Sequence, residues 1–576
     1  MNSKEIRFQI KSKDIGARIG ELEINGKKIE TPAIMPVYNP NKPIISIDEL
    51  RDKFKIKILM VNSYILYKNS NIRERVIEKG IHKFLNFDGI IATDSGSYQL
   101  MQYGSVSVSN KEIIKFQEDI GTDIGSFLDI PTLPNAYKPR AVEQLELTLM
   151  RAKEAENAKF VVNAGIQGSL FPDLRRKSAR EIGKRFSLCA IGGIVRLMED
   201  YRFSELIDVI AVVKKNLPLS RVVHAFGLGH PITLAFAISL GCDLFDSASY
   251  ALYAMDLRYM TEYGTERIEK LHYLPCSCPV CEKYDVEEFG ELPINEKIRE
   301  LARHNLYVTI EELRRIKQAI RENSLWELLS VRARAHPSLL LALKRLMRHN
   351  KFLSRLDPIT KKSGFFYLGG ESRHRTEVVN VRERIKRVSS RNMIRIEPFG
   401  DVPIEIVEMY PFISLISRNE LIKAYRDLNL SDFEIFGRML EYQFGSNASE
   451  VIKPGRIRIK RSKSGRIRYV YENNEIVASV RASDHFIIPK MRLAERLRRR
   501  FSFPLLRVVV DDDAVPFIRE GKSVFAKFVI DIDKNLRARD EVLVVDGNDN
   551  LIAIGTLMLS PREVIDFDYG IAVRTR

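Results

Sequence analysis

The 576-residue sequence holds only five cysteines, and none of its apolar runs approaches the roughly 20 residues that a membrane-spanning helix needs. An integral membrane protein is therefore not expected. Its opening stretch, MNSKEIRFQIKSKD, lacks the apolar core of a signal peptide, so a cytoplasmic protein is the expectation. Low-complexity tracts are missing as well, and no repeat occurs beyond short strand–helix units. With 45% hydrophobic and 29% charged residues the chain is too apolar for general disorder, and all of it is expected to fold. Gly227-Leu228-Gly229 is followed by no lysine at Walker spacing and by no acidic residue about 20 positions on, which leaves a tight turn rather than a phosphate loop.

What is abundant is positive charge. Lysine and arginine number 92 against 75 acidic residues, for a net charge of +17. A surplus of that size points to a partner with dense negative charge, nucleic acid first and a membrane surface second. At about 100 to 200 residues per domain, the length implies three or four units.

Eight short β-branched or apolar runs punctuate the first half, each followed by a helix-like segment: 33–36, 58–61, 90–93, 124–128, 160–163, 188–191, 222–225 and 243–245. Eight such units in about 250 residues predict an α/β fold, a closed (β/α)₈ barrel of the TIM type, with an open doubly wound sheet as the alternative. Polar and flexible residues collect after these runs, as in Thr93-Asp94-Ser95-Gly96-Ser97-Tyr98, Asp129-Ile130-Pro131-Thr132, Gln167-Gly168, Gly192-Gly193 and Asp246-Ser247-Ala248-Ser249. In a barrel those positions form one rim, so groups distant in sequence converge on one pocket.

Past about residue 345 the elements shorten and arginines multiply. Residues 456–460 and 466–469 alternate cation with apolar residue around Ser464-Gly465, which predicts a hairpin with its cations on one face. Arg496 to Arg500 are expected to end a helix. The final segment predicts a small all-β unit, with strands over 523–531 and 541–546 and a turn at 546–550 into 551–559.

Two constellations carry chemistry. Cys276, Cys278 and Cys281 fall within six positions, a spacing suited to a metal, and a tetrahedral ion needs a fourth ligand from elsewhere. His304, on the next helical element, is the best candidate, with His272 the alternative. A closed Cys₃His set implies a structural zinc ion, one per chain, and argues against a zinc hydrolase, which needs an open coordination position. Cys189 and Cys242 sit in apolar stretches and are expected to be buried small hydrophobes. The second constellation is Asp94 and Asp246, placed after the third and eighth strands and so across one mouth. A carboxylate pair of this kind breaks glycosidic bonds, one member attacking or stabilising the anomeric carbon while the other handles the leaving-group proton. The plainer reading is that each aspartate caps the following helix.

Several stretches in order, Ala17-Arg18-Ile19-Gly20 with Thr31 to Val37, TDSGSYQLM from Thr93, GIQGS from Gly165, AIGGIV from Ala190, DLFDSASYALYA from Asp243 and the CxCxxC loop, resemble the tRNA-guanine transglycosylases over roughly 270 residues. The long tail resembles the archaeal branch, and its last 75 or so residues resemble a PUA RNA-binding domain. The resemblance implies a catalytic barrel with a zinc subdomain over 1–346, small α+β domains over 347–430 and 431–499, and a β-barrel-like PUA domain over 500–576. It also implies a homodimer acting on tRNA, in which a D-arm guanine at position 15 is exchanged for 7-cyano-7-deazaguanine in the archaeosine route.

Position by position, the resemblance makes Asp246 the nucleophile on ribose C1′ and Asp94 the acid and base, an assignment that the residues alone leave reversible. It makes Tyr98 the stacking group on the base, with Asp129, Gln167 and the Gly192-Gly193 backbone reading the purine edge. The zinc ligands it implies are Cys276, Cys278, Cys281 and His304. Residue chemistry agrees: guanine offers an amide N–H and an amino group to a carboxylate such as Asp129, while Gln167 or a backbone N–H can donate to its carbonyl. A base within folded RNA must be turned out to be reached. Two other readings compete, an enzyme of the following archaeosine step and a non-catalytic tRNA-binding subunit; retention of both aspartates argues against the former.

Overall fold

The structure is a computed structural model that describes residues 6–97 and 108–576. The chain divides into two compact units, Met1–Arg321 with Leu328–Leu346, and Glu322–Glu327 with Met347–Arg576.

The first unit opens with an antiparallel meander, β1 (Ile6–Asp14), β2 (Ala17–Ile24) and β3 (Lys27–Thr31). Eight parallel strands follow: β4 (Ala33–Pro36), β5 (Ile58–Asn62), β6 (Ile90–Asp94), β7 (Ile124–Gly125), β8 (Val161–Ile166), β9 (Leu188–Ile191), β10 (Val222–Ala225) and β11 (Leu244–Ser247). Their order is β4-β11-β10-β9-β8-β7-β6-β5, and a parallel bridge between Val37 and Met60 brings the two end strands together. The predicted (β/α)₈ barrel is thus present, nearly closed, and the open sheet is set aside. These strands read as continuous apolar runs because helices cover one face and the barrel interior the other. Residues 188–191 and 222–225 are buried throughout.

The covering helices start where local chemistry dictates. Asn110–Asp119 carries a capping box between Ser109 and Glu112, and Lys138–Glu154, Pro172–Arg185 and Pro231–Ser239 each take proline in the first turn. All nine residues of Pro231–Ser239 are buried. Arg18 of β2 clamps Asp243, just before β11, through Nε–Oδ1 at 2.8 Å and Nη2–Oδ2 at 2.7 Å. Asp243 Oδ2 also accepts from the Val223 N–H at 2.8 Å, so this buried pair fixes the base of β11 against β10. Beyond the barrel, β12 (Arg258–Thr261) and β13 (Gly264–Arg267) form a hairpin before the long helix Ile294–Glu322.

In the second unit, β14 (Met393–Ile396) and β15 (Gly400–Pro403) pair, and β16 (Ile457–Arg461), β17 (Ile467–Glu472), β18 (Glu475–Val480) and β19 (Ile487–Pro489) form an antiparallel meander. The predicted hairpin is β16–β17, and Gly465 takes φ 76° at its turn, a backbone conformation that favours glycine. Its cations are not all on one face. Arg458 and Lys460 stand opposite Tyr471 and Tyr469, but the register slips after Lys460, Arg461 turns to Asp432 and Arg468 donates to the Val480 carbonyl. The helix Met491–Arg500 ends at its arginine run.

The last sheet has order β21-β25-β24-β23-β20-β22, with β20 (Arg507–Val510), β21 (Val524–Phe525), β22 (Val529–Ile532), β23 (Glu541–Val545), β24 (Leu551–Leu557) and β25 (Ile571–Thr575). The single strand expected over 523–531 is broken by a 3₁₀ turn, Ala526–Phe528. The break lets one stretch of chain pair first with β25 and then with β20 on the opposite edge. Among the described residues, no helix is long and apolar enough to cross a membrane.

Candidate active site and metal centre

The C-terminal ends of the barrel strands open onto one cavity of about 940 Å³, lined in part by Asp94, Asp129, Gln167, Gly192, Gly193 and Asp246. Each of these sits at or just after the end of a different strand, except that the two glycines share the β9 loop. Tyr98 lies outside the described residues.

Asp94 closes β6. Its Oδ2 accepts from Asn62 Nδ2 at 3.1 Å and its backbone carbonyl from Ser63 Oγ at 2.6 Å. Burial, reinforced by the negative charges of Asp246 and Asp129, pushes its pKa up to about 7. Asp246, third residue of β11, is held differently. Its Oδ1 accepts from the Gly227 N–H at 2.6 Å and lies 2.8 Å from His224 Nε2. The helix that follows, Ser249–Met255, starts at Ala248 with no side-chain cap, so Asp246 is not a capping residue.

Asp129 is 5% exposed, and its Oδ2 accepts from Gln167 Nε2 at 2.5 Å. Burial raises its pKa, against the lowering effect of hydrogen bonds from Ser97 and Gln167. Two glycines make room for this pair. A Cβ on Gly165 would stand 2.5 Å from Asp129 Oδ2, and one on Gly192 would stand 2.1 Å from Gln167 Nε2. The Gly192 N–H donates to the Ile166 carbonyl at 3.2 Å, so this residue's contribution is clearance.

Three polar residues escaped the sequence reading: Asn62, Asn163 and His224. Asn163 Nδ2 lies 2.9 Å from His224 Nδ1, and the His224 ring packs on Phe226 with centroids 4.5 Å apart. The available signal was a lone polar residue within an otherwise apolar barrel strand, VVNAGI in β8 and VVHA in β10.

Cys276, Cys278, Cys281 and His304 form the second site, with donor atoms all within 4.8 Å of one another. Cys278 Sγ and Cys281 Sγ are 3.6 Å apart, and each lies 3.4 Å from His304 Nδ1. Bonds of about 2.3 Å to sulfur and about 2.0 Å to nitrogen in a tetrahedron put ligand atoms roughly 3.4 to 3.8 Å apart, which the three distances among Cys278, Cys281 and His304 match, with Cys276 near enough to supply a fourth ligand. His304 Nε2 is 2.9 Å from the Met260 carbonyl, a partner that turns the Nδ1 lone pair toward the sulfurs. Tyr259 stacks on the ring at 3.7 Å between centroids and places its hydroxyl 3.3 Å from Cys281 Sγ. His272 is not in the cluster. Cys189 and Cys242 are buried, and burial pushes both thiols up to about 12.

Fold and site together define a barrel enzyme with two carboxylates lining its mouth and a separate cysteine–histidine cluster that could hold a metal ion. The family description "Queuine tRNA-ribosyltransferase" matches residues 13–338, "Patch-forming domain C2 of tRNA-guanine transglycosylase" residues 436–504, and "PUA domain" residues 506–576. Similar proteins include the tRNA-guanine(15) transglycosylases of Pyrococcus abyssi, 48% identical over 100% of this chain and 98% of the relative, and of Thermococcus kodakarensis, 46% identical over 99% of each. That of Methanocaldococcus jannaschii is 43% identical over 99% of each. The chain belongs to the queuine tRNA-ribosyltransferase family. It is a tRNA-guanine transglycosylase by class, an enzyme that exchanges guanine in tRNA.

Proposed function

We propose that this enzyme replaces guanine 15 in the D-arm of tRNA with 7-cyano-7-deazaguanine, through a covalent bond between Asp246 and ribose C1′. The relatives named for guanine 15 support the position. The observation that carries the mechanism is the contrast between the two carboxylates of one mouth. Asp94, desolvated and crowded by negative charge, holds a proton near neutral pH, while Asp246 Oδ1 accepts from the Gly227 N–H and faces the His224 Nε2. Environments that differ in this way separate acid from nucleophile.

In the forward half, Asp246 attacks C1′, the bond to N9 breaks, and guanine departs with a proton supplied by Asp94. In the return half, the incoming base gives its proton to Asp94 and attacks C1′, freeing Asp246. Asp129 accepts from the N–H and amino groups of either base. The second hydrogen of the Gln167 amide, or the Gly193 N–H, donates to the carbonyl. Tyr98 is assigned to stacking on the base. Both guanine and 7-cyano-7-deazaguanine display this same edge, so one pocket serves both halves.

The thiolate–imidazole centre is assigned to one structural zinc ion, since four protein ligands leave no position for water. We assign the chain to four domains, 1–346, 347–430, 431–499 and 500–576, the last three serving to hold tRNA, and to a homodimer working in the cytoplasm. A second reading, an enzyme of the following archaeosine step, is disfavoured because Asp94 and Asp246 both line the cavity. The test is a denaturing gel of enzyme mixed with labelled tRNA. Asp246→Asn is expected to abolish the protein–RNA adduct while retaining tRNA binding; an adduct that persists transfers the nucleophile's role to Asp94.

A further inference from the structure

His224 is 0% exposed, does not line the cavity, and sits behind Asp246 on the neighbouring strand β10. An uncompensated buried imidazole is costly, so its partners define what it does. Nε2 faces Asp246 Oδ1 at 2.8 Å and Nδ1 faces the Asn163 amide at 2.9 Å. With Asp246 ionised, Nε2 must carry the proton that faces Oδ1, because the other arrangement sets a lone pair against a carboxylate oxygen. Asn163 anchors the far nitrogen and keeps the ring from turning. The Gly227 N–H reaches the same Oδ1 at 2.6 Å.

We infer that His224 is a positioning residue, which together with the Gly227 N–H holds Oδ1 of Asp246 and dedicates Oδ2 to the bond with ribose. This inference rests on the reading of Asp246 as nucleophile. When Oδ2 bonds to C1′, the C1′–N9 electron pair leaves with guanine and Oδ1 becomes the ester carbonyl, its two donors still in place. When the next base attacks C1′, the C1′–Oδ2 pair returns to the carboxylate. The charge that reappears on Oδ1 then meets donors already aimed at it, as in an oxyanion hole. The same donors stabilise the resting carboxylate, so they assist discharge of the ester more than its formation. The contribution of His224 therefore falls mainly on the second half of the exchange.

The experiment follows discharge directly. Full-length enzyme is loaded with labelled tRNA in the absence of free base, then chased with guanine, and decay of the adduct is read on a denaturing gel. His224→Leu is expected to slow discharge about ten- to hundredfold, the range set by one hydrogen bond to a charged group, with KM for tRNA unchanged. His224→Gln, whose amide nitrogen can occupy the Nε2 position, is expected to restore most of the rate. Asn163→Leu, which frees the ring to turn, is expected to slow discharge severalfold and serves if His224→Leu melts below the assay temperature. Wild-type discharge in the leucine variants, or a glutamine variant as slow as leucine, overturns the inference and leaves His224 as packing. An adduct formed by Asp246→Asn instead overturns the nucleophile assignment, a failure seen without any His224 variant.

Discussion

Gln167 Nε2 stands 2.5 Å from Asp129 Oδ2, inside a barrel wall where Gly165 and Gly192 present no side chain. The pair exists because one residue of β8 and one of the loop after β9 each leave out a single methyl group. Gly192→Ala would put a carbon 2.1 Å from that amide nitrogen and push Gln167 off Asp129. Since a displacement of about 1 Å in a positioning group can cost about a hundredfold, kcat/KM for the incoming base is expected to fall by roughly that factor. Steady-state kinetics alongside a melting curve checks it; unchanged kinetics in a folded variant would remove Gln167 from base recognition.

Asp94 predicts two pH dependences. With its pKa pushed up to about 7, it is protonated in the folded enzyme below that value, and the rate of guanine release is expected to decline as pH rises through about 7. Single-turnover adduct formation across pH 5 to 9 reads this limb directly.

The stability consequence has the opposite sign from that of a salt-bridged carboxylate. Between about 4 and 7 the unfolded chain has released the Asp94 proton while the folded chain retains it, so this group lowers stability progressively as pH rises across that window and no further above it. Asp94→Asn is expected to melt above the parent at pH 8, with the advantage closing as pH falls toward 4. A constant difference at all pH values would contradict the raised pKa.

Metal analysis is expected to find one zinc per chain, and chelation to lower the melting temperature because ligand binding energy is folding energy here. Activity is expected to disappear together with the folded signal. A chelated protein that stays folded yet loses exchange would make the metal catalytic and contradict the closed Cys₃His assignment.

On the second unit, Arg458 lies over the Tyr471 ring at 4.4 Å, and Lys460 stands opposite Tyr469. Arg458→Ala with Lys460→Ala is expected to weaken tRNA binding and to flatten its dependence on log salt by about 0.7 to 0.9 for each phosphate that the pair neutralises. Exchange at saturating tRNA is expected to keep its rate. An unaltered salt slope would mean that this face is merely solvated.

The sequence by itself determined eight parallel strands with a barrel as the first expectation, because strands buried on both faces are mostly apolar and eight such runs stand between helical segments, while the near closure that sets aside an open sheet came from the structure. It also determined that Asp94 and Asp246 follow strand ends that share a rim in a barrel, and that the spacing of three cysteines suits an ion, whereas the choice of His304 over His272 as their neighbour came from the structure. Only the tertiary structure decided which oxygen of Asp246 is held. The contacts of Asn163, His224 and Asp246 join strands far apart in the chain, and their geometry depends on the tilt and closure of the barrel. It likewise decided why Gly165 and Gly192 are glycine, and why the chain near Ala526 breaks to serve both edges of a sheet. Periodicity reports which face of a strand is buried, whereas clearances of one carbon atom are set by neighbours that periodicity does not see.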